Sequence, residues 1–256
     1  MAKQARDPFS LRDQVALITG GGTGLGLGIA CAFVARGARV VITGRREAVL
    51  QASAASLGAA ADYRVHDVTD SASHCPLVGS VEAEFGPISC LVNNAGNLVK
   101  KPTEELSDEE MLEVLNTHLL GAFSLTRTVA RRMLDSNAGS ILFTASMTSL
   151  FGIPYVAAYA TAKSAYLGLV RTMATEWSSR GVRVNAIAPG WILTDLSRES
   201  LDADPERKAR ILARTPMKCF GEPEDIGNTA AFLASPAAKF ITGACIPVDG
   251  GASIGF

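Results

Sequence analysis

Charge imbalance is missing from this chain. Its 256 residues carry 24 Lys and Arg against 25 Asp and Glu, a formal net charge of −1, so an extended polyanion such as nucleic acid is not an expected partner. Histidine is scarce, and the three present, His66, His74 and His118, stand in no metal-ligand spacing. The five cysteines, Cys31, Cys75, Cys90, Cys219 and Cys245, are scattered and never spaced Cys-x-x-Cys. That pattern speaks for free thiols in a reducing compartment and against a zinc site or a disulfide framework. No apolar run approaches the roughly 20 residues needed to cross a bilayer. The opening MAKQARDPFS lacks the apolar core of a secretory signal. A cytoplasmic protein, tied to neither membrane nor nucleic acid, is expected. What the chain has in quantity is apolar side chains (48%) and glycine (24 residues). No linker, low-complexity segment or repeat divides it, so residues 1–256 are expected to form one domain.

Short apolar runs alternate with amphipathic stretches along the whole length. The runs Val15–Ile18, Arg39–Thr43, Asp62–Val65, Ile88–Val92, Ile141–Phe143, Val182–Ala188 and Ala244–Val248 read as strands, with helical spacing between them. The alternation predicts an α/β fold, a doubly wound and roughly seven-stranded parallel sheet with helices on both faces. In such sheets ligands bind beyond the carboxyl ends of the strands. Gly20, Asp67, Asn94, Ser146 and Pro189 all fall there.

The first strand runs into TGGGTGLGLG and then an apolar helical pattern. Strand, glycine turn and helix N-terminus together make a phosphate cradle, because backbone N–H groups and the positive end of the helix face an anion. Gly20, Gly24 and Gly26 carry it, with Thr23 and Leu25 between them. The second strand ends without an acidic residue, and Arg45 follows. An acid there would hold the ribose 2′-hydroxyl of NAD, whereas an arginine accommodates the 2′-phosphate of NADP, so NADP is favoured over NAD. The alternative is that Arg45 and Arg46 simply begin a solvated helix with Glu47. Asp67, beside Val68, either accepts from an adenine amino group or caps a helix starting near Thr69. Asn94, Ala95 and Gly96 end the fourth strand with small and amide residues, against which a ribose can lie.

Tyr159 and Lys163 stand four residues apart in an Ala-rich helical stretch, hence on one face. A nearby cation stabilises a phenolate, so Lys163 is expected to lower the pKa of Tyr159 and make it a proton carrier. Ser146, just past the fifth strand, is placed to hold a substrate oxygen. Residues 195–215 are charged and helical in pattern, a candidate lid.

These motifs resemble the short-chain dehydrogenase/reductase family over almost the full length. They are Thr19-Gly20-x-x-x-Gly24-x-Gly26, Asn93-Asn94-Ala95-Gly96, Ser146, Tyr159-x-x-x-Lys163, and Pro189-Gly190 with Thr194. The resemblance implies a Rossmann-like homotetramer that uses NADP or NAD. It implies that Tyr159 is the acid/base, that Ser146 binds the substrate oxygen and that Lys163 holds the nicotinamide ribose. Pro189, Gly190, Ile192 and Thr194 would approach the nicotinamide, while Asp67 and Val68 frame the adenine. The family's fourth catalytic residue, an asparagine three before a small residue, corresponds to His118 here, counting back from Gly121. Asn116 fills the place only in a shifted register. Detail around Phe9-Ser10-Leu11 and Lys100-Lys101-Pro102 resembles the gluconate 5-dehydrogenase-like branch, in a wider group with 3-oxoacyl carrier-protein reductases. The implied substrate is thus a sugar acid or related carbonyl compound, with 3-oxoacyl carrier-protein reduction or silent cofactor binding as alternatives. Lys100 and Lys101 either attract an anionic substrate or are a solvated pair.

Overall fold

The computed structural model describes residues 7–255, apart from the side chains of residues 195, 196, 199 and 200. Residues 1–6 and 256 of the expected domain lie outside the described residues. Seven strands, β1 (Val15–Thr19), β2 (Arg39–Gly44), β3 (Ala61–Val65), β4 (Ile88–Asn93), β5 (Gly139–Thr144), β6 (Val182–Pro189) and β7 (Cys245–Val248), form one sheet. Their order is β3-β2-β1-β4-β5-β6-β7, and every pairing is parallel. The chain winds outward first one way and then the other, so the reversal falls between β1 and β4, where such sheets open a crevice.

Side chains of a strand alternate between faces, and the sequence loads both faces with apolar residues. Val15 and Leu17 of β1 join one core, with Leu77, Val78 and Val81 of α3 (His74–Phe85). The same core takes Leu125, Val129 and Met133 of α5 (Ala122–Ser136) and Tyr166, Val170 and Met173 of α6 (Ala157–Trp177). Ala16 and Ile18 join the other core, with α1 (Gly24–Ala35), α2 (Glu47–Leu57) and α9 (Pro223–Ala234). Burying each large side chain contributes about 1.5–3 kcal/mol. A one-residue slip in any strand would exchange its two faces.

Between α3 and α5, α4 (Asp108–Leu115) opens with a capping box: the Ser107 hydroxyl accepts from the Glu110 N–H while the Glu110 carboxylate accepts from the Ser107 N–H. It passes without a break through a π-helical turn, Asn116–Gly121, into α5. The sequence gives no sign of that widening. The segment expected to form a lid is two helices, α7 (Asp195–Asp202) and α8 (Pro205–Arg214). Arg207 of α8 lies 5.8 Å from the ring of Trp191, and Arg214 lies 4.1 Å from that of Phe151. α8 therefore leans on the loops that leave β6 and β5. No helix among the described residues is long and apolar enough to cross a membrane.

Candidate active site

The site begins at the glycine turn between β1 and α1. A Cβ on Gly26 would stand 2.1 Å from the carbonyl oxygen of Gly20, so the turn closes this tightly only without one. Thr19 and Asn94 hold the turn against the end of β4. The Thr19 hydroxyl accepts from the N–H groups of Asn94 and Ala95, both at 3.0 Å. The Asn94 side-chain amide donates to the carbonyls of Thr19 and Gly20, both at 3.1 Å. Asn94 is thus the buckle between two strand ends, as well as part of the surface a ribose would meet. Past the turn, a Cβ on Gly24 would lie 3.4 Å from the Thr194 methyl, so Thr194 faces the turn across the crevice.

One crevice of about 970 Å³ follows the carboxyl edge of the sheet, a volume in the range of small-molecule sites. Gly20, Thr23, Gly24, Leu25, Arg45, Asp67, Val68, Asn94, Ala95, Gly96, His118, Tyr159, Lys163 and Thr194 line it. Gly26, Ser146, Pro189, Gly190 and Ile192 do not. Gly26 lies behind the turn, against the Gly20 carbonyl. Gly190 donates its N–H to Val248 at 2.9 Å, and Ile192 packs on the core under α1 and α9.

At the β2–β3 end of the crevice, Arg45 is exposed and close enough to Asp67 to favour its carboxylate. Asp67 caps no helix: its Oδ1 accepts from the N–H and hydroxyl of Thr69 at 2.9 and 2.8 Å, and the N–H bond is the main cause of its lowered pKa. Beneath them, in the crevice wall, Thr43 Oγ1 and both ring nitrogens of His66 are buried with no partner among the described residues. Such groups cost about 1–3 kcal/mol each when left unmade, and a polar ligand reaching them would offset this. The His66 ring packs 5.1 Å from that of His74. Burial, with His74 adding to it, lowers the His66 pKa to about 4. Glycine turn, adjacent arginine and partnerless polar floor together fit a nicotinamide dinucleotide.

At the β4–β5 end, α6 carries Tyr159 and Lys163 on one face, with Lys163 Nζ 5.5 Å from the centre of the Tyr159 ring. The Ser146 hydroxyl lies near enough to the Tyr159 phenol to lower its pKa, and its own Oγ accepts from the Thr148 N–H at 3.1 Å. Lys163 is buried and donates to the carbonyl of Thr144. Burial lowers the Lys163 pKa to about 7. One expectation is corrected here. Burial raises the Tyr159 pKa, and the Ser146 hydroxyl acts the other way.

His118 lies in the π-turn, buried, with its ring 5.3 Å from that of Tyr159 and nearly perpendicular to it (87°). Asn116 is exposed. Nε2 of His118 lies 2.8 Å from the Asn97 carbonyl and 3.1 Å from the Asn97 N–H, while Nδ1 has no partner. A Cβ on Gly96 would stand 2.2 Å from the imidazole, so the glycine makes the room for it. Burial, then the neighbouring Lys163, lower the His118 pKa to about 3, which keeps the ring neutral. Lys101 is held by Glu110 at 2.7 and 2.9 Å, which removes it from any role at the mouth, and Lys100 does not line the crevice.

Several participants were invisible to motif reading: Thr43, His66, Asn97, the Thr144 carbonyl and Tyr166. Only for Tyr166 was there a signal, because it stands seven residues after Tyr159 on the same helical face.

A family model described as enoyl-(acyl carrier protein) reductase matches residues 20–253. Galactitol 2-dehydrogenase (L-tagatose-forming) of Cereibacter sphaeroides is 39% identical over 97% of this chain and 98% of its own. A 2-dehydro-3-deoxy-D-gluconate 5-dehydrogenase of Dickeya dadantii is 37% identical over 95% and 96%. The crystal structure of a gluconate 5-dehydrogenase from Burkholderia cenocepacia, in complex with NADP and tartrate, superposes with a TM-score of 0.93. It is 34% identical and covers 98% of this chain and 99% of that one.

Proposed function

Because the chain belongs to the short-chain dehydrogenase/reductase family and is an NAD(P)-dependent oxidoreductase between alcohol and ketone, we propose that it acts on a sugar acid or related small hydroxy-carbonyl compound and prefers NADP(H). The observation that carries this reading is one crevice with Tyr159, Lys163 and the nearby Ser146 at one end, and Arg45 without an acidic neighbour on its strand at the other. The substrate class is supported by the sugar-alcohol and sugar-acid dehydrogenases among its relatives, and the cofactor by the NADP bound to the Burkholderia enzyme.

The N–H groups of the glycine turn would hold the pyrophosphate, Arg45 the 2′-phosphate, Asp67 and Val68 the adenine, and Lys163 and Thr194 the nicotinamide half. When bound, that cofactor supplies or takes up the hydride. Ser146 fixes the substrate oxygen beside the phenol of Tyr159. In reduction Tyr159 gives its proton to that oxygen, and in oxidation it takes the proton back. The Lys163 ammonium, turned from Thr144 toward the crevice, stabilises the phenolate that this exchange requires. His118 packs against Tyr159 and ties the Asn97 backbone to the π-turn, fixing where the phenol sits.

The cofactor preference is tested by Arg45→Asp. Loss of the guanidinium should weaken NADPH binding by about 10- to 100-fold, the range of a charge-assisted phosphate contact, and leave NADH within about threefold. Fluorescence titration with both cofactors, alongside turnover of a panel of sugar acids and polyols in both directions, reads this directly. Equal or tighter binding of NADH by the wild type would overturn the preference.

We further propose a homotetramer. Leu112, Leu120 and Phe123 on α4–α5, and separately Phe240 and Ile254, are large apolar side chains open to solvent, and second copies of the chain would cover them. Light scattering should return the mass of four chains, and a monomer at micromolar concentration would refute the assembly.

A further inference from the structure

Two phenols, not one, lie beside the ammonium of the site. Tyr159, Lys163 and Tyr166 fall at i, i+4 and i+7 of α6 and share a face. Lys163 Nζ is 5.5 Å from the centre of the first ring and 5.1 Å from that of the second. Their hydroxyls have different partners. That of Tyr159 meets the Ser146 hydroxyl, a group able to donate to a phenolate. That of Tyr166 donates to the backbone carbonyl of His118 at 2.5 Å, and a carbonyl can only accept. The Tyr166 ring is fully buried, 4.9 Å from that of Phe143.

His118 links the two. Its carbonyl, in the π-turn where the regular helical pairing is displaced, is held by Tyr166, while its imidazole stands edge-on to Tyr159. We infer that Tyr166 is a positioning residue for the proton step: its hydroxyl clamps the His118 carbonyl, keeps the imidazole against Tyr159, and leaves the ammonium to the one phenol free to ionise. This rests on the reading that Tyr159 carries the proton.

Ionising Tyr166 would forfeit its hydrogen bond and set a charge in an apolar core, so its pKa is driven up strongly by burial, with Tyr159 adding to it. Removing only the hydroxyl takes that donor away from the buried His118 carbonyl. The ammonium over the Tyr166 ring is a donor at hand, and its capture would draw it from Tyr159. The other groups facing this cluster are few. They are Ser146 from the loop after β5, the neutral His118 ring, and Glu113 of α4, reached through the Asn97 side chain at 2.9 Å. β5 itself adds the Thr144 carbonyl and the Phe143 ring.

Tyr166→Phe keeps the ring and its packing. Relative to wild type, kcat should fall about tenfold, with KM for substrate and Kd for NADPH within about twofold. The acidic limb of the alcohol-oxidation profile should move up by about half to one pH unit. Two readouts do not depend on turnover. Ultraviolet titration of the cofactor-free protein, taken as the difference from Tyr159→Phe, should isolate the Tyr159 phenol, with its midpoint shifted upward when Tyr166→Phe is added to both. Amide exchange should quicken across residues 116–121. An unmoved limb with unaltered kcat overturns the inference, as does exchange in the π-turn that matches wild type, or a rate loss fully accounted for by the unfolded fraction in a thermal melt. A wild type inert with every carbonyl compound and both cofactors would instead refute the proposed function, leaving the titration and exchange still legible.

Discussion

Tyr159→Phe should leave a protein that binds NADPH within about twofold of wild type and turns over at least about a thousandfold more slowly, the upper part of the range for removing a general acid/base. The asymmetry follows from where the phenol stands. Its ring lies at the β4–β5 end of the crevice, between the His118 ring, the Ser146 hydroxyl and Lys163. The glycine turn, Arg45 and Asp67 belong to strands on the other side of the topological switch. Phenylalanine keeps the edge-to-face packing on His118, so neither the π-turn nor the Asn97 loop loses its support. What disappears is one hydroxyl, the phenol beside Ser146. Single-turnover absorbance at the reduced-nicotinamide band, with fluorescence titration of cofactor in parallel, separates the two effects. Turnover by the Phe variant within tenfold of wild type would remove Tyr159 from the chemistry.

The sheet and the grouping of Ser146, Tyr159 and Lys163 were legible because each leaves a short-range signature. Alternating apolar runs with glycine or asparagine at their ends can form little else than strands feeding a common edge, and Tyr159 with Lys163 needs only a helix to share a face. The seven parallel strands follow that reading. What escaped it is of another kind. Asn94 looked like a soft surface for a sugar ring, yet its amide is committed to the carbonyls of Thr19 and Gly20; that contact spans some seventy residues and no local pattern encodes it. The raised pKa of Tyr159 comes from the density of side chains around it, a property of packing. The same holds for His66 and Thr43, whose significance lies in having no partner. The π-turn is the clearest case. Asn116-Thr117-His118 reads as ordinary helix, and only the finished structure shows the wide turn that buries His118 beside Tyr159 and leaves Asn116 exposed at the crevice edge.

Lys163→Met should abolish turnover and at the same time stabilise the cofactor-free protein. The first half follows from the proton step: without a cation the buried phenolate of Tyr159 loses its stabilisation, and a loss of about 10²- to 10⁴-fold in kcat is expected. The second half follows from burial. Lys163 is 3% exposed, and its pKa drops from 10.5 to about 7 because the protein around it disfavours the ammonium. Between those two values the unfolded chain holds a proton that the folded chain has released, so stability rises with pH across that interval. Below about pH 7 both states carry the proton and the full penalty of a buried charge weighs on the fold. Methionine fills a similar volume and carries no charge. Against this, the Thr144 carbonyl loses its donor, so the net gain near pH 6 should be on the order of 1–3 kcal/mol, or several degrees in Tm. Because the wild type sheds its proton as pH rises, the gap between the two proteins should narrow toward pH 10. Thermal melts of both across pH 6 to 10 measure the difference, in which every other titrating group cancels. A wild type more stable than the Met variant at pH 6, or a gap that does not change with pH, would mean that the lysine is not held against its charge. The destabilisation assigned here to the proton-transfer machinery would then have to come from elsewhere in the fold.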